Sequence, residues 1–199
     1  MSKTLELLAK RRSQYALGRN VSLSNDEIEA LIKEAIRLSP SSFNSQSARA
    51  VILFGERSEK AWALIADVLR ACLPAEQFAG TEAKLKSFAA GVGTVLFYED
   101  QDTIKGLQEN YPLYAEAFPG FSLHSAGMAQ IAVWTALAEE GIGGSLQHYS
   151  PIADEPFAKE FNIPASWKLQ AQLPFGSNEA GFQEKSFIAD EGRFVTLGK

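Results

Sequence analysis

The sequence predicts an α+β fold in which helices surround a core sheet of four or five strands. Two observations carry this reading. Short apolar runs of strand character, residues 49–54 and 91–98 among them, are separated by segments with the 3.6-residue periodicity of helices. The two kinds of segment do not alternate regularly, as a doubly wound parallel sheet would require. The chain has 199 residues, 46% hydrophobic and 22% charged, enough for one sizeable core. It contains no repeat, low-complexity tract or long linker, so residues 1–199 are read as a single domain.

The elements follow in order. Residues 4–12 place Leu5, Leu8 and Ala9 at helical spacing and end on Lys10-Arg11-Arg12. Ser24-Asn25-Asp26-Glu27 is a capping box, in which the serine takes an orphan amide and the glutamate reaches back. Ile28, Leu31, Ile32, Ala35 and Ile36 continue it as one apolar stripe, and Pro40 ends it, because the residue before a proline avoids helical angles. Residues 49–54 form a short buried strand closed by Gly55, and Ser58 caps a helix with Trp62, Ile65 and Leu69 on one face. Residues 91–98 read as a second core strand. A long helix over about residues 122–140 buries Ile131, Trp134, Leu137 and Ala138 and is stopped by Gly141-Ile142-Gly143-Gly144. Residues 145–147, 168–173 and 194–197 are the remaining strand candidates. Trp62 and Trp134 read as core, and Cys72 as a buried or half-buried packing residue.

Composition narrows the function. A net charge of −5 disfavours non-specific nucleic-acid binding, since phosphate backbones reward a basic surface. One cysteine excludes an intrachain disulfide and a cysteine-rich metal site, and two histidines without a carboxylate pattern give no metal site. There is no Gly-x-Ser-x-Gly elbow and no Walker loop. The first six residues carry charges where a signal peptide needs an apolar run, and no stretch approaches the roughly 20 apolar residues of a membrane span. These features read as a soluble protein of a reducing compartment, the cytoplasm, with no membrane partner.

Three segments can carry chemistry. Arg11-Arg12-Ser13 offers two planar guanidinium forks and a hydroxyl suited to a phosphate, although a basic helix end looks the same in isolation. Ser39-Pro40-Ser41-Ser42-Phe43-Asn44-Ser45-Gln46 gathers hydroxyls and amides on a proline-fixed loop, suited to the edge of a polar heterocycle or to a solvated turn. Gly141-Ile142-Gly143-Gly144-Ser145-Leu146-Gln147-His148-Tyr149 permits close backbone approach to a ligand, or simply a helix stop leading into a strand.

In this order and at these separations the three segments resemble the nitroreductase family. Ser145-Leu146-Gln147-His148-Tyr149-Ser150-Pro151 is similar to the branch containing the yeast fatty-acid-repression nitroreductase-like proteins and their bacterial relatives. The resemblance spans residues 10 to 195 and implies a mostly antiparallel central sheet. It also implies a homodimer with FMN sites at the interface, each built by both subunits. Arg11, Arg12 and Ser13 would then hold the phosphate. Pro40, Ser41, Ser42, Asn44 and Gln46 would come from the partner to the ring's polar edge. Gln147, His148 and Tyr149 would lie against the isoalloxazine, with a backbone amide near N5. Lys185 takes the place of a late phosphate-binding lysine, Arg193 that of a second contact, and Phe43 and His124 would line the acceptor pocket.

Two positions depart from the pattern. Tyr15 stands where well-studied members have a lysine that stabilises negative charge on reduced flavin, which leaves Lys84 as the candidate substitute. Phe187 stands where they carry a further basic residue.

The implied chemistry is a ping-pong transfer. NADH or NADPH gives hydride to the flavin, and a nitroaromatic, quinone or similar small acceptor then takes the electrons, with no single catalytic side chain. One alternative is a flavin-binding regulatory protein of redox stress or lipid signalling with incidental reductase activity. A third keeps the family but changes the chemistry to dehalogenation or flavin fragmentation, which would call for a longer lid.

Overall fold

The computed structural model describes residues 2–199. The first helix, α1 (Lys3–Lys10), is shorter than its periodicity suggests, because Arg11 leaves helical geometry and only its backbone N–H reaches back to Leu7. A two-residue strand β1 (Leu17–Gly18) leads to α2 (Asn25–Leu38), which opens on the expected capping box between Ser24 and Glu27 and ends just before Pro40. Strand β2 (Ala48–Phe54) feeds α3 (Glu56–Cys72) through Gly55, whose φ of 51° suits a residue without Cβ. Gly55, rather than Ser58, is the N-cap. Ser58 lies inside the helix and its hydroxyl sits 2.7 Å from Thr94 Oγ1, a buried contact the cap reading missed.

Helix α4 (Ala75–Ala89) precedes the central strand β3 (Gly93–Asp100), which is followed by α5 (Gln101–Asn110) and α6 (Phe118–Glu139). Helix α6 starts about a turn earlier than its apolar spacing predicts. It ends as expected at Gly141, which has φ 76°. Strand β4 (Gly143–Gly144), α7 (Asp154–Phe161) and the long β5 (Trp167–Asn178) complete the order.

All five strands join one antiparallel sheet in the order β1-β5-β3-β2, with β4 also on β5. Residues 145–147 do not form the expected strand. Only Gln147 bridges to Gln172, and the glycines before it make the pairing. A Cβ on Gly144 would come within 2.8 Å of Pro174 O, so this glycine permits the close approach of β4 to β5.

Helices cover both faces of the sheet, and that is why β3 is buried along nearly its whole length instead of alternating. Leu96, Tyr98 and Leu169 face Trp62, Phe88 and Phe157 of α3, α4 and α7. Val95, Phe97, Leu173 and Phe175 face Ile28 and Ile32 of α2 and Val133 and Leu137 of α6. Three core expectations are corrected. Cys72, the last residue of α3, is exposed. Ile131 is 37% exposed on the outer side of α6, because the inner side is filled by smaller residues such as Ala126 and Ala129. Trp134 is only partly buried and lies under Arg11. Residues 194–197 are not a strand; they belong to an exposed arm with no neighbouring strand to pair with. Among the described residues no helix is long and apolar enough to cross a membrane.

Candidate functional site

The basic segment is fixed from both sides. Lys10 Nζ donates to the carbonyl of Glu139 at 2.7 Å, placing a cation at the negative end of the α6 dipole. Ser13 then runs beside Gly144 as a parallel bridge, with Gln14 N donating to Gly144 O at 2.9 Å. The Gln14 side chain is buried. It donates to Ala180 O at 2.6 Å and accepts from Ala16 N, pinning the start of the C-terminal arm. Arg12 donates to Gln183 O on the same arm.

Between segment and arm lies a cleft of about 450 Å³, lined by Arg11, Arg12, Ser13 and Tyr15 on one side and by residues including Glu184 and Lys185 on the other. The Arg11 guanidinium carbon lies 4.3 Å from the Trp134 ring centre, and its Nε is buried without a hydrogen-bond partner among the described residues. Burial, and second the charge of Arg12, lower the Arg11 pKa from its ordinary value. Arginine stays protonated, so this is a cation held where an anion would relieve it. The donor set of two guanidiniums, an ammonium and a hydroxyl fits a phosphate group.

The 40–46 loop is a second unusual place. Phe43, Asn44 and Gln46 all take left-handed φ values, 55°, 50° and 49°. Such angles in residues with a Cβ persist only where the surroundings enforce them, and they gather at functional sites. Here Asn44 N donates to Ser41 O, Gln46 N to Ser41 Oγ at 2.9 Å, Ser42 N to Ser125 Oγ at 3.3 Å, and Arg49 to Gln46 O at 2.7 Å. Pro40, Phe43, Asn44 and Gln46 are exposed. Phe43 packs against Tyr111 and Phe118, with ring centres 4.9 and 5.2 Å away.

Ser125, which holds this loop, and Trp134, under Arg11, stand nine residues apart on α6. At 1.5 Å rise per residue the two anchor points are about 14 Å apart along the helix.

The Gln147-His148-Tyr149 turn follows β4 directly and so lies a few residues from Ser13. Gln147 and Gln172 exchange two backbone hydrogen bonds, and Gln172 Oε1 accepts from Tyr149 N at 2.8 Å. Gln147 is buried. Tyr149 turns into the core edge-on to Trp62, and burial raises its hydroxyl pKa. His148 alone of the three presents an exposed side chain, because its two neighbours are tied to β5 and the core.

Not every expected residue joins these places. Lys84 lies on α4, on the other side of the sheet, with Nζ 5.7 Å from the Phe88 ring, and does not line the cleft. Arg193 sits farther along the arm over Phe194 and does not line it either. His124 is exposed on α6, one residue from Ser125. Sequence reasoning missed Gln14, Gln172 and Glu99, buried polar residues that tie site segments to the body. Gln14 could have been suspected from its place directly after Arg11-Arg12-Ser13. The other two lie in strand sequence and carry no local signal.

The chain thus combines an antiparallel sheet enclosed by helices with a basic cleft at its edge and a strained polar loop fastened to its long helix. The model of the nitroreductase family matches residues 8–177. The putative nitroreductase HBN1 of Saccharomyces cerevisiae is 36% identical over 189 residues, 94% of each chain. The nitroreductase FRM2 of the same yeast is 31% identical, covering 92% of each. Among solved structures, the nitroreductase CinD of Lactococcus lactis, in complex with nicotinic acid, is 47% identical with a TM-score of 0.92, over 98% of this chain and 100% of that one. CinD has also been solved with 4-nitrophenol. This chain belongs to the nitroreductase family, a family of oxidoreductases, and to the branch that includes the two yeast proteins.

Proposed function

We propose that the chain is an FMN-dependent reductase that works as a homodimer, taking hydride from NADH or NADPH and passing electrons to nitroaromatic, quinone or similar small planar acceptors by a ping-pong cycle. The observation that carries this is the buried, unpartnered Nε of Arg11 in a cleft shared with Arg12, Ser13 and Lys185. Bound there, the flavin would supply the two-electron chemistry, exchanging hydride with the nicotinamide cofactor and then electrons with the acceptor. Arg11, Arg12, Ser13 and Lys185 hold the phosphate end. Asn44 and the hydroxyls of Ser41 and Ser42 serve the ring edge of the second copy's site, and His148 borders the ring. Lys84 and Arg193 have no part in the cleft of this chain.

Three features support the dimer. Loop and cleft are anchored at points about 14 Å apart along α6, so the loop is placed away from this chain's own basic segment. Helix α6 turns Leu123, Met128 and Ile131 outward. The arm beyond residue 180 exposes Phe182, Phe187, Ile188, Phe194, Val195 and Leu197, apolar surface that a lone soluble chain seldom displays. The structures of CinD in complex with nicotinic acid and with 4-nitrophenol, both small planar aromatic compounds, support a nicotinamide donor and a planar acceptor here.

The test is a visible spectrum of the purified protein before and after anaerobic NADH. Flavin bands that bleach support the reading, and a protein that stays colourless after incubation with FMN refutes it. In the Arg11→Ala, Arg12→Ala double variant, loss of charge-assisted hydrogen bonds worth about 1.5–3 kcal/mol each weakens FMN binding on the order of 100-fold or more and yields colourless protein. Full yellow colour in that variant would remove the phosphate assignment.

A further inference from the structure

Glu99 is fully buried near the end of β3, in register with Ala48 of β2 and Lys168 of β5. One of its carboxyl oxygens, Oε2, accepts two hydroxyls, from Ser47 at the end of the 40–46 loop and from Ser122 of α6 at 2.9 Å. The other oxygen, Oε1, is buried without a partner among the described residues. One turn beyond Ser122, Ser125 Oγ accepts the Ser42 amide. Both ends of the strained loop are therefore fastened to the same helix, directly at Ser42 and through Glu99 at Ser47.

The charges around Glu99 do not make it a conventional ion pair. Arg49 of β2, the cation whose charge acts on it, is engaged with Asp100 Oδ2 at 2.8 Å. Burial pushes the Glu99 carboxyl pKa up, against the two serine hydroxyls and Arg49, and Asp100 pushes in the same direction as burial. A buried acid without a paired cation is a poor way to stabilise a core, where an apolar side chain of similar size would serve better. What it supplies is one acceptor fixed between two mobile hydroxyls.

We propose that Glu99 is a positioning residue for the 40–46 loop, holding Ser47 against Ser122 so that Asn44 and its neighbours keep the left-handed geometry in which they meet the flavin. This rests on the proposed function, in which that loop contacts FMN.

The test uses the FMN-loaded dimer and compares wild type with Glu99→Gln, Glu99→Leu, Ser47→Ala and the Glu99→Leu, Ser47→Ala double variant. The readouts are the FMN dissociation constant, the visible circular dichroism of bound flavin and the melting temperature of the flavin-free protein. Glu99→Leu is expected to weaken FMN binding by about 10-fold and alter the dichroism, the scale of one lost hydrogen-bonded anchor, with little change in apoprotein melting. Glu99→Gln keeps an oxygen that both hydroxyls can reach, so it is expected to rescue affinity and dichroism. The double variant is expected to bind no worse than Glu99→Leu, because both substitutions break one link.

Wild-type affinity and dichroism in Glu99→Leu, or full additivity with Ser47→Ala, would overturn this role while leaving the proposed function standing. If Glu99→Leu does not fold, Ser47→Ala and Ser122→Ala decide instead. Each is expected to weaken FMN binding several-fold and, combined, to do so less than additively; unchanged affinity in both would overturn the role. A wild type that binds no FMN would overturn the proposed function, and this role with it.

Discussion

The α3–α4 pair and α6, on opposite sides of the sheet, finish differently, while α2 beside α6 carries its own ion pairs Lys33–Glu29 and Arg37–Glu34. Outside α3 and α4, Arg70 pairs with both Asp67 and Glu82, and Glu82 also holds Lys86. On the opposite side, α6 has no charged residue from Phe118 to Ala138 and turns Leu123, Met128 and Ile131 outward. Beneath these surfaces the two cores are built alike, from large apolar side chains on either face of β3 and β5. The contrast therefore lies in what each side meets. The α3–α4 side is completed by ions that water can solvate. The α6 side is left apolar along the helix that also carries the loop anchor Ser125 and Trp134, the ring beneath Arg11. A helix that is apolar all round is normally covered, and the proposed partner is a second copy of the chain.

Substitutions on each side sharpen this contrast. The largest effect is expected inside the ionic side. Trp62→Ala empties a site where the indole packs tilted against Phe88, ring centres 4.9 Å apart, and donates to Thr94 Oγ1 at 2.9 Å. The loss is about 3–5 kcal/mol of stability, read from denaturant melts. Next, Ile131→Asp places a charge on the apolar face of α6. It is expected to shift the protein from dimer to monomer in sedimentation and to lower flavin content with it; a dimer that persists would move the interface elsewhere.

A smaller effect concerns pH. The folded chain holds the Glu99 proton more tightly than the unfolded chain does. Stability is therefore lost as pH rises from the ordinary carboxyl range of about 4 through the raised folded value, and nothing is lost below it. Glu99→Gln removes that slope, so its melting temperature should gain on wild type as pH rises across this window. A constant difference across the window would mean that Glu99 ionises normally. Smallest of all, Glu82→Ala breaks the exposed ion pairs and is expected to leave the denaturant midpoint close to that of wild type, because such pairs are screened by water and salt.

Much of this was legible in the chain. The capping box at Ser24, the stop at Gly141 and the strand at 49–54 were readable because each depends on neighbours a few residues away. The misreadings share a different cause. Ser58 looks like a cap but bonds across space to Thr94, and Ile131 fits a buried stripe but faces outward. Lys84 fits a charge requirement but sits on the far side of the sheet. In each case periodicity offered a face without saying what would stand opposite it.

By itself the sequence determined the fold class, the order of most elements and the three polar segments, since propensity, capping and turn chemistry act locally. Only the tertiary structure decided which of those segments meet. The Ser13–Gly144 bridge sets the basic run beside the glycine turn, and the length of α6 separates both from the loop. Glu99, which fastens that loop, is one more residue of a strand until folding brings Ser47 and Ser122 to the same oxygen. Hydrogen bonds between residues far apart in sequence leave no local pattern, because they exist only once packing has chosen the partners.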